Sequence, residues 1–230
     1  MLAMLIFSVT IVIEKINMEV ADMLQTTIFK EDWEVGSRLS MFGVTKAELV
    51  TVVEKAVGAR ADAVPHDPVT APGTFSYIYG TRGLRDLFAS KGWIPDSTKG
   101  IESIYHPITG TKLIFQNVDS ACDDRHPKAI SGKGMASEEI ISLSTKYLFE
   151  DMEEQRQKML NGTAWFLCVY ANGEDVRAEL SLPLGVKEGQ FSGFIERIFL
   201  LNQGEWKPFT ISRKEEYPLF QDFDIPVTRK

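Results

Sequence analysis

Between residues 163 and 212 apolar and polar side chains alternate with a period of two, and the turns fall where that period breaks. Residues 163–171 and 175–182 flank Asn172 and Gly173, a pair suited to the positive φ angles of a type I′ turn, so a hairpin with a defined register is predicted. Val176, Ala178, Leu180 and Leu182 alternate with Arg177, Glu179 and Ser181, which predicts a strand with one buried and one solvated face. Residues 191–201 and 205–212 repeat the pattern around Asn202, Gln203 and Gly204, completing a four-stranded antiparallel meander.

Upstream the pattern is more varied. Residues 2–13 are nearly all apolar and rich in β-branched side chains, which predicts a buried first strand. The run is too short to span a bilayer as a helix and lacks a basic leader or a small-residue cleavage site. A start of translation at Met18 is the other reading of these residues. Residues 20–25 suit one or two helical turns. Thr45 followed by Glu48 is a capping box, opening a helix to about Val57 with Leu49, Val52, Val53 and Val57 on one face and Gly58 just past its end. The proline-rich stretch 59–73 reads as a linker, dividing the chain into residues 1–73, a possible subdomain with a strand and the capped helix, and a body at 74–230.

In that body Phe75, Tyr77 and Tyr79 predict an aromatic strand over 74–79, with Thr81 capping a short helix over 83–91. Residues 101–106 and 112–118 form a second hairpin through Pro107, Thr109 and Gly110. From 119 to 135 periodicity fails in a polar, basic, glycine-punctuated loop, which is expected to be mobile and to clamp any partner. Ser137, Glu138 and Glu139 open the longest helix, whose apolar face extends to Leu160 and which Gly162 closes. Past Tyr217 the chain is an extended tail laid over the body by Leu219, Phe220 and Phe223. The fold expected is α+β: a largely antiparallel sheet, made of the C-terminal four-strand meander plus the second hairpin, packed against one long helix.

Composition, 44% apolar and 25% charged in 230 residues, is that of a globular protein. Cys122 and Cys168 show no metal-ligand spacing and read as reduced thiols of a cytoplasmic protein. The net charge of −7 is uneven, since residues 74–133 carry eight basic and six acidic side chains while every other region is acidic. An acidic protein binds nucleic acid poorly overall, but a local basic face still serves.

Catalytic and metal motifs do not survive inspection. Asp119, Asp123, Asp124 and His126 offer oxygen and nitrogen donors without the alternating calcium-loop arrangement. Ser131, Gly132, Lys133 and Gly134 resemble no P-loop, because Pro127 stands where its first glycine belongs. Cys122 with His126 is the nearest approach to a nucleophile and base, and Glu179 with Glu196 reads either as paired carboxylates or as a solvated ladder with Arg177 and Arg197.

The distinctive composition is in the basic middle, where aromatics interleave with cations: Tyr79, Arg82, Arg85, Lys91, Trp93, Lys99 and Lys112, continued in the loop by Arg125, His126, Lys128 and Lys133. Such a set suits a protein interface or a single-stranded nucleic acid. The expectation is a non-enzymatic macromolecule-binding protein of the inhibitor or adaptor type, without cofactor or metal and away from the membrane, whose partner has an acidic surface. A nucleic-acid-binding or processing protein using the same face comes second, and a small hydrolase around Cys122 and His126 third.

Overall fold

The computed structural model describes residues 26–149 and 162–207. The strand expected in residues 2–13, the turns at 20–25, the far part of the long helix and the tail lie outside the described residues. Strands β1 (Thr27–Phe29), β2 (Ile94–Asp96), β3 (Ser103–Tyr105), β4 (Lys112–Asn117), β5 (Ala164–Asn172), β6 (Asp175–Pro183) and β9 (Phe194–Leu201) form one sheet in the order β1-β9-β6-β5-β4-β3-β2. A separate two-stranded ribbon pairs β7 (Val186–Lys187) with β8 (Gln190–Phe191). The helices are α1 (Asp32–Leu39), α2 (Lys46–Ala61), α3 (Ala71–Ala89) and α4 (Met135–Phe149).

The α+β class holds, but the sheet is mixed. Neighbours β2/β3, β3/β4, β5/β6 and β6/β9 are antiparallel, whereas β4/β5 and β1/β9 are parallel. The parallel step follows from α4, because a strand set parallel beside its predecessor needs a long crossover, usually through a helix. The expected hairpin is present, but its two-residue turn is Gly173 and Glu174: Asn172 stays in β5 opposite Asp175, and only Gly173, at φ 59°, takes a positive φ, so the type I′ pair expected at Asn172 and Gly173 is displaced by one residue. The meander ends at β9: residues 205–207 are turn and coil, and the rest of its expected fourth strand is outside the described residues.

Two corrections concern helices. The capping box at Thr45 is present, with the Glu48 amide donating to Thr45 Oγ1 at 3.2 Å and the Thr45 amide to Glu48 Oε2 at 2.7 Å, but the helix continues through Gly58 to Ala61. Residues 74–79 are not a strand. They belong to the 19-residue helix α3, which begins with a proline in its first turn and absorbs the short helix expected at 83–91. Its inward positions, Ser76, Gly80, Thr81, Gly83, Leu84 and Phe88, recur at helical spacing, and several are small. A Cβ at Gly80 would stand 2.3 Å from ring carbons of Phe115, so the helix lies on the sheet as closely as glycine permits. In its first half small residues face in while Tyr77 and Tyr79 face out, which reverses the usual reading of an apolar pattern there.

Both faces of the sheet are covered. Under α1, α2 and α3 lie Leu113, Phe115, Trp165, Leu167, Leu180, Ile198 and Leu200, together with Val35, Leu39 and Leu49 from the helices. On the opposite face Ile114, Phe166, Cys168, Phe191 and Phe194 meet Ile141 of α4 and Ala121 and Ala129 of the segment 119–135. That segment is therefore part of the packing. Val118 bridges Ala129, the amides of Asp119 and Ile130 donate to the carbonyls of Lys128 and Asn117 at 3.0 Å, and Ser120, Ala121 and Ala129 are buried. The face of β6 expected to be solvated is closed over: Glu179, Ser181 and Arg197 are fully buried.

Candidate functional site

Most of the expected basic surface is neutralised by local carboxylates. Arg85 reaches Glu102 at 2.6 Å and also donates to the carbonyls of Asp96 and Ser103. Lys91 pairs with Glu48 at 3.0 Å, Lys99 with Glu139, Lys112 with Asp96 at 2.6 Å and Arg125 with Asp119 at 2.8 Å. The Asp96 carboxyl would be raised by burial, yet bonds from Lys112, Thr98 and Ser103 hold it down at about 2. The Lys112–Asp96 pair ties β4 to β2. Trp93 is core, edge-on to Phe88 at 4.8 Å and to His106 at 5.1 Å.

The loop residues separate. Cys122 lies in the left-handed region at φ 51°, its amide donating to Glu179 Oε2 at 2.6 Å and its Sγ lying 3.1 Å from the Ala178 carbonyl. Burial, and then the Glu179 charge, push its thiol up to about 12, so it is held protonated at neutral pH. His126 rests beside the Phe194 ring at 5.5 Å, and burial followed by the Arg197 charge lowers its pKa. An activated Cys-His pair does not arise from this geometry. Lys128 is exposed and free of carboxylate partners among the described residues.

Lys133, expected to present charge to a partner, turns inward. Its ammonium lies over the Phe166 and Phe191 rings at 4.7 and 5.0 Å and donates to Gln116 Oε1. Burial lowers its pKa to about 8. Beside it the paired-carboxylate reading of Glu179 and Glu196 is corrected, since the two side chains point to opposite faces. Glu179 takes a bidentate bond from Arg197 at 2.8 and 2.7 Å, whereas Glu196 takes one from Arg38 of α1 at 2.7 and 2.8 Å. Arg197 also donates to the Asp123 carbonyl at 2.8 Å, so the buried pair clamps the segment 119–135 onto the sheet.

A run of consecutive exposed apolar side chains lies along the outer side of α3. Tyr77, Ile78 and Tyr79 are 37%, 42% and 43% exposed, large for consecutive apolar side chains. A depression of about 560 Å³ is bounded by Arg60, Val69, Thr70, Pro72, Gly73, Thr74, Tyr77, Gln116, Asn117, Ile130 and Ser131. A second, of about 390 Å³, adjoins it through Tyr77 and is lined by Ile78, Thr81, Arg82, Arg85, Asp86 and Glu102. Together they make a groove running along the helix from its N-terminal turn to Asp86.

The chemistry of this groove is specific. Asn117 fixes its floor, accepting from Ser76 Oγ at 2.8 Å and donating to the Gly73 carbonyl at 3.0 Å. Arg82 stacks on Tyr79 at 4.6 Å and, like Arg60, meets no carboxylate among the described residues. Tyr77 is harder to ionise than an ordinary tyrosine, first through partial burial and then through the nearby Glu102 carboxylate. The Thr81 hydroxyl is buried next to Tyr77.

Of the residues singled out in the sequence, Tyr79, Arg82 and Arg85 meet here. Ile78 was missed because the strand assigned to 74–79 set it on the face opposite Tyr77, whereas Arg60, Val69 and Ile130 come to the groove from separate segments that only the fold brings together. Among the described residues no helix is long and apolar enough to cross a membrane, and no group of three His, Cys, Asp or Glu side chains is placed to hold a metal ion. No protein-family model, curated protein or solved structure matches this chain.

Proposed function

We propose that this chain is a non-enzymatic protein-binding module of the inhibitor or adaptor type, whose contact face is the groove along α3. The observation that carries this reading is the pair of adjoining depressions sharing Tyr77, edged by the guanidiniums of Arg60 and Arg82, which have no carboxylate partner among the described residues. Tyrosine and arginine are the residues that dominate protein interfaces, because a rigid amphipathic ring or a planar cation buries area with little loss of entropy. Arg60 and Arg82 favour a partner whose contacting surface is acidic.

The nucleic-acid reading has less support. Phosphate binding draws on cations free to displace counterions, and Arg85, Lys91, Lys99, Lys112 and Arg125 are each bound to a carboxylate. Photo-crosslinking tests the proposal. With benzoylphenylalanine in place of Tyr79, irradiation in a lysate of the source cells is expected to yield discrete protein adducts. The same group in place of Ile108, which is 89% exposed on the β3/β4 turn, is expected to yield none of them. Identical adducts from both positions, or adducts only to nucleic acid, would refute the reading.

A further inference from the structure

We propose that Lys133 is a covalent carbonyl-binding site, whose side-chain amine condenses with a small apolar aldehyde or ketone admitted through the larger depression beside α3. This goes beyond the groove's role as a contact face and does not depend on it.

The lysine is placed by contacts from three strands and a turn. Its backbone amide donates to the Gly189 carbonyl at 2.7 Å, in the turn of the β7/β8 ribbon. The side chain passes over Phe166 of β5 and Phe191 of β8, whose rings stand edge-on to each other at 5.2 Å. Lys133 Nζ lies 4.7 and 5.0 Å from their centroids. Gln116 of β4 receives a proton of the ammonium on Oε1, and it is oriented for this because its Nε2 donates to the Asn117 carbonyl at 2.8 Å.

Such surroundings weaken the ammonium. Its acceptor is a neutral amide oxygen, and aromatic rings stand where water would solvate the charge, so burial lowers the pKa to about 8 from the ordinary 10.5. Near neutral pH the uncharged fraction then rises by about two orders of magnitude. A desolvated lysine is the kind of amine that forms Schiff bases.

Gln116 also lines the depression of about 560 Å³, together with Asn117, Ile130 and Ser131. Lys133 follows Ser131 by two positions, is half-buried and is bonded to Gln116, so its amine stands directly behind that wall. Val69, Pro72, Tyr77 and Ile130 give the depression apolar walls, which favour a carbonyl compound with an aliphatic or aromatic body. After its ammonium has lost a proton to solvent, the amine adds its lone pair to the carbonyl carbon. The C–N bond becomes an imine, and the carbonyl oxygen leaves as water with the two amine hydrogens.

The test treats the purified full chain with benzaldehyde and sodium cyanoborohydride near neutral pH. Hydride traps the imine as a benzylated lysine, and peptide mass spectrometry reads each site. Lys133 is expected to be labelled about tenfold faster or more in the native chain than in the same chain unfolded in guanidinium, whereas the exposed Lys128 differs by less than about threefold. Gln116→Glu is expected to cut the native rate at Lys133 by about tenfold or more, because a carboxylate at that oxygen holds the ammonium charged. With glyceraldehyde, which is hydrophilic, the native preference for Lys133 over Lys128 is expected to fall by about fivefold or more, since apolar walls favour it less. Labelling of Lys133 no faster in the native than in the unfolded chain, or indifferent to Gln116→Glu, would overturn the proposal. An equal preference with both aldehydes would overturn the depression as the route.

Discussion

Arg197 and Glu179 show what a single side chain contributes here. Both are fully buried, joined by two short bonds, and the remaining donors of the cluster hold the 119–135 segment. Replacing one partner leaves the other charge buried and uncompensated, so Arg197→Leu is expected to cost about 3–5 kcal/mol in urea unfolding. A loss below about 1 kcal/mol would mean that the pair is solvated in solution. Lys133 offers a pH test. Its folded pKa of about 8 lies below the ordinary 10.5, so between those values the unfolded chain holds a proton that the folded one has lost. Stability from this group therefore rises with pH across that window, by up to about 1.4 kcal/mol per pH unit. Cys122 and Cys168, both raised by burial, act in the opposite sense above their ordinary values, so the observable is the difference between the wild type and Lys133→Met. That difference should shift in favour of the wild type from pH 8 to 10.5, and a difference independent of pH would place the amine in water. The alternation of β6 made Glu179 look solvated because one strand's pattern reports its own two faces and says nothing of a second layer laid over them.

At the level of elements, what could be read locally was read well. The Asn172 and Gly173 hairpin and the Thr45 capping box are each specified by residues within a few positions, and both are present. The first half of helix α3 was missed because its buried positions Ser76, Gly80 and Thr81 carry no apolar signal, while its exposed side carries Tyr77, Ile78 and Tyr79. The parallel pairing of β4 with β5 was equally hidden, since strand direction depends on where α4 returns the chain. The close seating of α3 is testable. Gly80→Ala sets a methyl 2.3 Å from the Phe115 ring, and although alanine favours the helix, the overpacking should dominate and cost about 1–3 kcal/mol in chemical denaturation. An unchanged or raised midpoint would show that the ring has room to move. Phe115→Leu is expected to recover part of the loss by vacating that space.

For the molecule as a whole, the sequence located a basic, aromatic region correctly in composition but not in disposition. Five of its cations are paired, Trp93 is core and Lys133 faces inward, while Arg60 of α2 and Arg82 of α3, without carboxylate partners among the described residues, flank the exposed Tyr77. Ion pairing across forty or more positions, as between Lys91 and Glu48 or Lys99 and Glu139, is a property of the fold and leaves no mark in local sequence. The account's central claim is that the α3 groove, rather than the basic side chains of the 119–135 loop, is the binding face. The most direct measurement is quantitative capture of proteins from a source-cell lysate by three immobilised proteins of matched melting temperature: wild type, Tyr77→Ala with Arg82→Glu, and Arg125→Glu with Lys128→Glu. The groove variant is expected to lose at least about 90% of what the wild type specifically retains, equivalent to about 1.4 kcal/mol or more at one interface, while the loop variant retains most of it. Retention by the groove variant with loss by the loop variant would contradict the account.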